Sequence, residues 1–337
     1  MEKYTLPTGY LIVDDYSKGK LETLSIGDYG KHVNVKADFL GLTKEINGVA
    51  DGECMPLSEK WVITLSTQYG CVQKCNFCSV PNVKFRGNAS YHDLKDQLDV
   101  ALKCFPDVNY IERLNIHFAR MGEPIFNQEV FKFAKSIFSE KRNFHQRIET
   151  LHPVLTTSLP KGFDKLESRI LEWCEIKNEI YNGQAGLQFS INSTDEEQRN
   201  IMFGGSSISI EEFAKIASRL PAPVGRKYCL NFAYASSFLI DGEYLSKLFD
   251  PEKFMAKITP IHNNVECIKN GIETIGGYSS YKPYRIPEES LKNAGFDVLV
   301  FVPSMDEERG IVTCGNAILG GSTIKVETNK IKIRGIQ

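Results

Sequence analysis

Apolar positions along the chain follow two alternating periods. Short β-branched and aromatic runs at Val62-Ile63-Thr64-Leu65, Leu114 to Ala119, Val154 to Thr157, Leu187 to Ile191, Leu230 to Ala235, Ala256 to Ile261 and Asp297 to Val302 read as strands. Helical stripes lie between them. Tyr91 to Phe105 places Leu94, Leu98, Ala101, Leu102 and Phe105 on one face, with Ser90 as cap. Glu129 to Ser139, Phe163 to Trp173, Ser209 to Leu220 (a capping box from Ser209 and Glu212), Glu243 to Phe249 and Pro287 to Ala294, closed by Gly295, also read as helices. This β-α alternation predicts a parallel sheet with right-handed crossovers. The expected fold is α/β, a partial (β/α)6 TIM-like barrel over residues 61–303. Residues 1–60 form a small β-rich extension with strand candidates at Tyr10 to Val13, His32 to Val35 and Phe39-Leu40. Residues 304–337 are a C-terminal segment ending in a short β tail, where Lys325, Lys330, Lys332 and Arg334 mark a basic face.

Composition changes this picture little. The chain has 337 residues, 42% hydrophobic content and a net charge of -2, so nucleic-acid binding would require a local basic face. No run approaches the roughly 18 apolar residues of a membrane span, and the first twenty residues lack an apolar signal core. Together with the cysteine usage, this gives the expectation of a cytoplasmic protein without a membrane partner.

Polar motifs follow the strands, where parallel barrels collect their chemistry. Three cysteines, Cys71, Cys75 and Cys78, stand at C-x3-C-x2-C spacing just after the first barrel strand. Three thiolates at this pitch can each ligate one iron of a [4Fe–4S] cluster and leave the fourth iron open for another ligand. A closed structural zinc site would want a fourth Cys or His nearby, and none is present at close spacing. Other strand-end motifs are Met121-Gly122-Glu123-Pro124, Thr156-Thr157-Ser158, Ser190-Ile191-Asn192 and His262-Asn263-Asn264.

The cysteine triad, with Phe77 before its last member, resembles the radical S-adenosylmethionine (SAM) superfamily. In that superfamily the open iron chelates SAM, and one electron releases a 5′-deoxyadenosyl radical. With Gly122-Glu123-Pro124, Ser190-Ile191-Asn192, His262-Asn263-Asn264 and a late Thr313-Cys314-Gly315, the chain resembles the RlmN/Cfr-type adenine-C methyltransferases over about residues 50–320. The resemblance implies a [4Fe–4S] cluster on Cys71, Cys75 and Cys78, and SAM contacts from Gly122, Glu123, Thr156, Ser190, Ile191, Asn192 and Asn263. It implies that Cys314 carries a methyl group to an sp2 carbon of an adenine-like RNA base, and that Glu53 answers to an upstream proton acceptor. An RNA or nucleotide substrate and a flavodoxin- or ferredoxin-like electron donor are the implied partners.

Two departures qualify this reading. Thr64 stands seven residues before Cys71, where the family has a resolving cysteine, with Cys54 as a substitute in the preceding loop. The family's helical RNA-binding domain has no counterpart in the sixty residues before the barrel. The alternatives are direct hydrogen abstraction from a nucleotide, small molecule or peptide without methyl transfer, and a non-catalytic iron–sulfur or SAM-binding module. Cys104, Cys174 and Cys229 read as structural thiols, His117 as a core residue, and Cys267 as the spare thiol best placed to be reactive. Gly204-Gly205-Ser206-Ser207 reads as a flexible loop ahead of the Ser209 cap, because it lacks the lysine of a phosphate loop.

Overall fold

The computed structural model describes residues 1–43, 52–236, 238–274, 280–313, 315–326 and 330–336. Cys314 lies outside the described residues.

Strands β1 (Glu2–Leu6), β2 (Gly9–Tyr16) and β3 (Gly19–Ile26) form an antiparallel meander. A single helical turn, α1 (Lys31–Asn34), and a two-residue strand, β4 (Val35–Lys36), come next. The strand expected at His32 to Val35 is therefore mostly helical, because Gly30 at φ 89 turns the chain and leaves only Val35 and Lys36 extended. Phe39 and Leu40, also expected in a strand, lie in a 3-10 turn and are exposed.

The barrel then begins with β5 (Lys60–Leu65), followed by the small β6 (Gln68–Tyr69) and β7 (Gly87–Asn88) pair that flanks the cysteine loop. Helix α2 (Tyr91–Lys103) starts from a capping box made by Ser90 and Asp93. It leads to β8 (Tyr110–Phe118), α3 (Gln128–Glu140), β9 (Arg147–Thr157), α4 (Leu166–Glu175) and β10 (Gly186–Ser190). Two helices follow, α5 (Glu196–Phe203) and α6 (Ile210–Ala217), the second with the expected Ser209–Glu212 box. The remaining elements are β11 (Tyr228–Tyr234), α7 (Gly242–Leu248), β12 (Phe254–Pro260), α8 (Val265–Lys269), α9 (Arg285–Asn293), β13 (Val298–Phe301) and α10 (Met305–Arg309).

One sheet carries the order β1-β2-β3-β5-β8-β9-β10-β11-β12-β13-β4. From β5 to β13 every neighbouring pair is parallel, and the meander joins antiparallel through Leu24 opposite Thr64. The partial α/β barrel thus has seven parallel strands in series, and the lead-in strands extend the same sheet. The basic tail makes no strand among its described residues, only an isolated bridge from Ile333 to Cys54.

Register sorts the two faces of the sheet. Trp61, Ile63, Leu114, Ile116, Phe118, Leu155, Phe189, Leu230 and Ile258 point toward the helices and are fully or almost fully buried. Burying an aliphatic or aromatic side chain of this size contributes about 2 kcal/mol, so this face anchors the fold. Trp173 of α4 fills the same layer, edge-on to Phe118 and Phe131, and its indole N–H donates to the Gly186 carbonyl at 2.8 Å. The opposite residues on each strand line the lumen and are mostly polar: Lys60, Thr64, Arg113, Asn115, His117, His152, Thr156, Gln188, Asn231, Lys257 and Thr259. A polar lumen beneath the strand ends is where a ligand would be received.

Candidate active site

The cysteine loop leaves β5 through Ser66 and Gly70. Gly70 has φ 78, and a Cβ there would stand 2.6 Å from the Val83 carbonyl oxygen, so the turn requires glycine. The loop is framed from three sides. At the end of α5, Met202 O accepts from Asn76 N at 2.8 Å, and Gly204, with φ 57, sits so close to Lys74 that a Cβ would be 2.3 Å from its carbonyl oxygen. From the start of α8, Asn264 Nδ2 donates to Phe77 O at 2.8 Å, and Cys267 Sγ donates to the same oxygen at 3.6 Å. The C-terminal segment closes the third side: Ser79 N donates to Gly315 O at 2.9 Å, and Ala317 N donates to Ser79 Oγ at 2.8 Å.

Cys71, Cys75 and Cys78 are all partly buried. Cys71 and Cys78 pack with Val80, Met121 and Ala317, while Cys75 and Phe77 pack with Met202, Phe203 and Phe238. Among the described residues, no three His, Cys, Asp or Glu side chains are gathered into a metal cage. The donor set nevertheless suits an iron–sulfur cluster: three thiols from one loop in an apolar setting, with a buried cation beside them. That cation is Arg199, 1% exposed, whose guanidinium donates to the carbonyls of Ser190 at 3.0 Å and Ile191 at 2.7 Å. Burial pushes Arg199 down to about 10, and its interactions with Glu196 and the Cys75 thiol pull it back up.

Gly122 and Glu123 follow β8. Gly122 has φ 93, and a Cβ would lie 2.4 Å from the Gln68 Cβ, so this turn is pressed against the start of the cysteine loop. Glu123 is 4% exposed, and its Oε2 accepts from both Ser158 N and Ser158 Oγ at 2.7 Å. Oε1 accepts from Ile125 N at 3.2 Å, and Gln68 Oε1 accepts from Glu123 N at 3.0 Å. Burial raises the Glu123 carboxyl above its ordinary value, and the Ser158 and Ile125 hydrogen bonds oppose that rise. A carboxylate held this way ties the ends of β8 and β9 together and remains suited to a desolvated ammonium.

Thr156 faces the lumen, with its hydroxyl 3.5 Å from Gln188 Oε1. Ser190 and Ile191 present their carbonyls to Arg199, which leaves those two oxygens engaged with protein. Asn192 is buried at φ 64, a left-handed conformation that asparagine tolerates better than most residues, and its Oδ1 accepts from Ala233 N at 3.0 Å. Its amide therefore fastens β10 to β11. Asn263 is exposed and accepts from Thr274 N at 3.3 Å.

Four expected assignments change. Glu53 is exposed and adjoins Cys54, whose backbone pairs with Lys332 and Arg334. The Cys54 side chain faces Gly27, beyond the end of β3, at the amino-terminal end of β5, whereas the cysteine loop leaves the other end. Glu53 thus stands a strand length from the thiols and is not brought to the site. The same position, with full burial and a thiol pushed well above its usual range, removes Cys54 as a resolving thiol. Cys267 is completely buried and its thiol is pushed up to about 11, so it is a packing residue rather than a reactive one. The Gly204 loop is no loose linker; it caps α5 and props the cysteine loop.

Sequence patterning passed over Ser158, Arg199 and Asn264 as functional supports. A further one is the buried pair Arg120–Glu22. Arg120 Nη2 meets Glu22 Oε2 at 2.7 Å, Arg120 Nη1 donates to Ile311 O at 2.8 Å, and Glu22 Oε1 accepts from Leu319 N at 2.7 Å. The pair grips the C-terminal segment on both sides of residues 312–318. Only the sequence distance between Glu22 and Arg120 hid it.

Comparison with known proteins gives a consistent relationship. No family model matches the chain. It is 25% identical over 291 residues to a protein of Heliobacterium modesticaldum described as a probable dual-specificity RNA methyltransferase RlmN, covering 80% of this chain and 68% of that protein. The same description belongs to a Leptospira interrogans protein 35% identical over 206 residues, covering 60% of this chain and 54% of the relative. It belongs also to a Chlorobaculum tepidum protein 25% identical over 183 residues, covering 54% and 46%. The chain thus spans between about a third and two thirds of the length of these curated relatives, 33% to 68%. In fold it is similar to a radical SAM methyltransferase from Sphaerobacter thermophilus, with a TM-score of 0.59 and 16% identity across 91% of this chain and 76% of that one.

Proposed function

The chain being a divergent relative of the RlmN/Cfr-type radical-SAM proteins, we propose that it methylates an sp2 carbon of an adenine-like RNA base. Cys71, Cys75 and Cys78 are the residues that would hold a [4Fe–4S] cluster, with SAM lying along the strand ends near Gly122 and Glu123. When bound, the cluster and SAM would supply one-electron chemistry and the methyl group.

The chain's own residues do the rest. Glu123 offers a carboxylate, braced by Ser158, to the amino group of SAM. Gly122 allows the backbone to pass against Gln68 and keeps that carboxylate close to the cysteine loop. Arg199 supplies positive charge beside Cys75. Asn192 acts through Ala233 as a strap between two strand ends.

Cys314 is the proposed methyl carrier. The observation that supports it most is the hydrogen bond from Ser79, next after Cys78, to Gly315, next after Cys314. Thr313 and Asn316 are themselves linked at 3.2 Å, and Asn264 reaches both Phe77 and Gly315. The residues flanking Cys314 are therefore bonded to the loop that carries the thiols. With Cys54 buried at the opposite end of the barrel, an external thiol would release the product in place of a paired cysteine. Direct hydrogen abstraction without methyl transfer is not favoured, since the relatives are described as methyltransferases.

The test uses anaerobically reconstituted protein and methyl-labelled SAM, with mass spectrometry of the peptide containing Cys314. A labelled methyl or methylene on Cys314 is expected. Cys314→Ala should abolish methyl transfer to adenosine-containing RNA while SAM cleavage continues. Transfer retained by Cys314→Ala would overturn the carrier role.

A further inference from the structure

At the amino-terminal mouth of the barrel, cationic side chains converge from elements far apart in sequence. Lys60 and Arg113 are register partners on β5 and β8. Arg113 Nε donates to Asn115 Oδ1 at 2.9 Å, and Asn115 stands opposite His152 on β9. The Gln184 carbonyl lies 3.2 Å from His152 Nδ1 and accepts from Arg226 Nη1 at 3.3 Å. This chain of contacts runs around the mouth from β5 to the start of β11. Lys31 at the start of α1 adds to it, and its ammonium is held below the ordinary lysine range by burial and by the nearby charges of Arg113, Lys60 and Arg226. Deeper in the lumen is Lys257 on β12, opposite Asn231.

The counter-charge falls short. Asp28 pairs with Lys60 at 2.8 Å, and Asp297 on the rim pairs with Lys227 at 2.8 Å. Among the described residues, no carboxylate makes an ion pair with Lys31, Arg113 or Arg226. Gathering like charges costs stability unless an anion neutralises them. Two arginine forks at one mouth match the oxygens of a phosphate. The lumen above them also carries unmet polar groups: among the described residues, the buried Asn231 Oδ1 and Thr259 Oγ1 have no hydrogen-bond partner. Both belong to the face that points into the barrel.

We propose that Lys31, Arg113 and Arg226, with Lys60, form a phosphate subsite at the amino-terminal mouth of the barrel, which receives a phosphate of the nucleotide substrate. The substrate class rests on the methyltransferase reading above. Arg113 lies five residues before Phe118 at the end of β8, about 16 Å along the strand, so a nucleotide anchored here would point its base up the lumen toward the cysteine loop.

The experiment measures binding of two probes to the reconstituted full chain: 5′-AMP, and a fluorescein-labelled octamer of adenylate by anisotropy at several salt concentrations. Arg113→Gln with Arg226→Gln should weaken binding at least tenfold and make the dependence of log K on log salt shallower by about 1. Arg113→Lys with Arg226→Lys, which keeps the charge but loses the forks, should bind between the parent and the glutamine variant and keep the parent's salt dependence. Weakening confined to AMP assigns the subsite to a small nucleotide, and weakening of the octamer assigns it to an RNA strand. Unchanged binding of both probes in the glutamine variant, or a lysine variant as weak as the glutamine one, overturns the subsite. Methyl loading of the Cys314 peptide is read on the same samples. Its absence alongside charge-dependent binding would sink the methyl-transfer reading and leave the subsite standing.

Discussion

Glu123 and the glycine before it show how much one residue can decide. With φ 93 and a Cβ that would press 2.4 Å into the Gln68 side chain, Gly122→Ala must shift the turn that aims the carboxylate. The expected cost is on the order of 2 kcal/mol of stability by denaturant titration, from steric overlap and left-handed strain together. SAM binding should weaken with it. Ser158→Ala is the milder comparison, because it removes one of the two 2.7 Å bonds to Glu123 Oε2 and leaves the backbone donor in place. A roughly threefold to tenfold loss of SAM affinity by calorimetry is expected, as one hydrogen bond to a charged group contributes about 1 kcal/mol or more. An unchanged affinity would show that Glu123 does not face the ligand. Gly122 and Glu123 were legible in the sequence because they sit together in a motif after a strand. Ser158 stood in a strand-end motif too, but its role was not legible, since it comes from β8 and β9 ending side by side, which pairs residues 35 apart. Glu53 misled for the complementary reason: it was placed by resemblance to an upstream acidic residue, and order along the chain says nothing about which end of β5 a residue occupies.

Among the elements, α5 and α8 do the positioning that the cysteine loop cannot do for itself. Neither was read from hydrophobic periodicity. Helix α8 has five residues and exposes Val265 and Ile268, so it offers no apolar stripe to recognise. Helices α2, α3 and α6 were legible because their caps and stripes are local features. The consequence is testable at Gly204, the left-handed end of α5. Gly204→Ala places a methyl group 2.3 Å from the Lys74 carbonyl oxygen and should push the cysteine loop away from its seat. Iron and sulfide content after anaerobic reconstitution is expected to fall by half or more, with the absorbance near 400 nm falling in parallel. Ser209→Ala is the control, because loss of that cap costs about 1 kcal/mol but leaves the loop untouched. Equal iron content in parent and Gly204→Ala protein would remove α5 from the support of the site.

For the molecule as a whole, the sequence carried the β-α alternation that yields the parallel sheet, because each strand and long helix has its own periodicity. It did not carry the faces of that sheet. Lys60, Arg113, Arg226 and Lys257 become neighbours only once seven strands have curled together, and the chain's small net charge concealed their clustering. The same enclosure sets how stability depends on pH, through two opposing groups of residues. Burial, aided at His117 and His152 by the mouth cations, depresses His117 and His262 to about 3 and His152 to about 4. Their contribution is present above the ordinary histidine value near 6.5 and is lost as pH falls toward those depressed values. Glu307, capping α10 together with Ser304, moves the other way: burial pushes its carboxyl up to about 7. Its contribution is therefore complete below about 4.5 and disappears as pH rises through 7. Glu307→Gln imitates the protonated form and can keep the bond from Ser304 N. Parent and variant should have nearly equal stability at pH 4.5, and the variant should be more stable at pH 8 by as much as about 3 kcal/mol. The histidines are common to both proteins and cancel in the difference, so chemical denaturation of the pair across this range isolates the one carboxyl. A difference that stays flat from pH 4.5 to 8 would mean that Glu307 ionises normally, with water reaching it beneath the C-terminal segment.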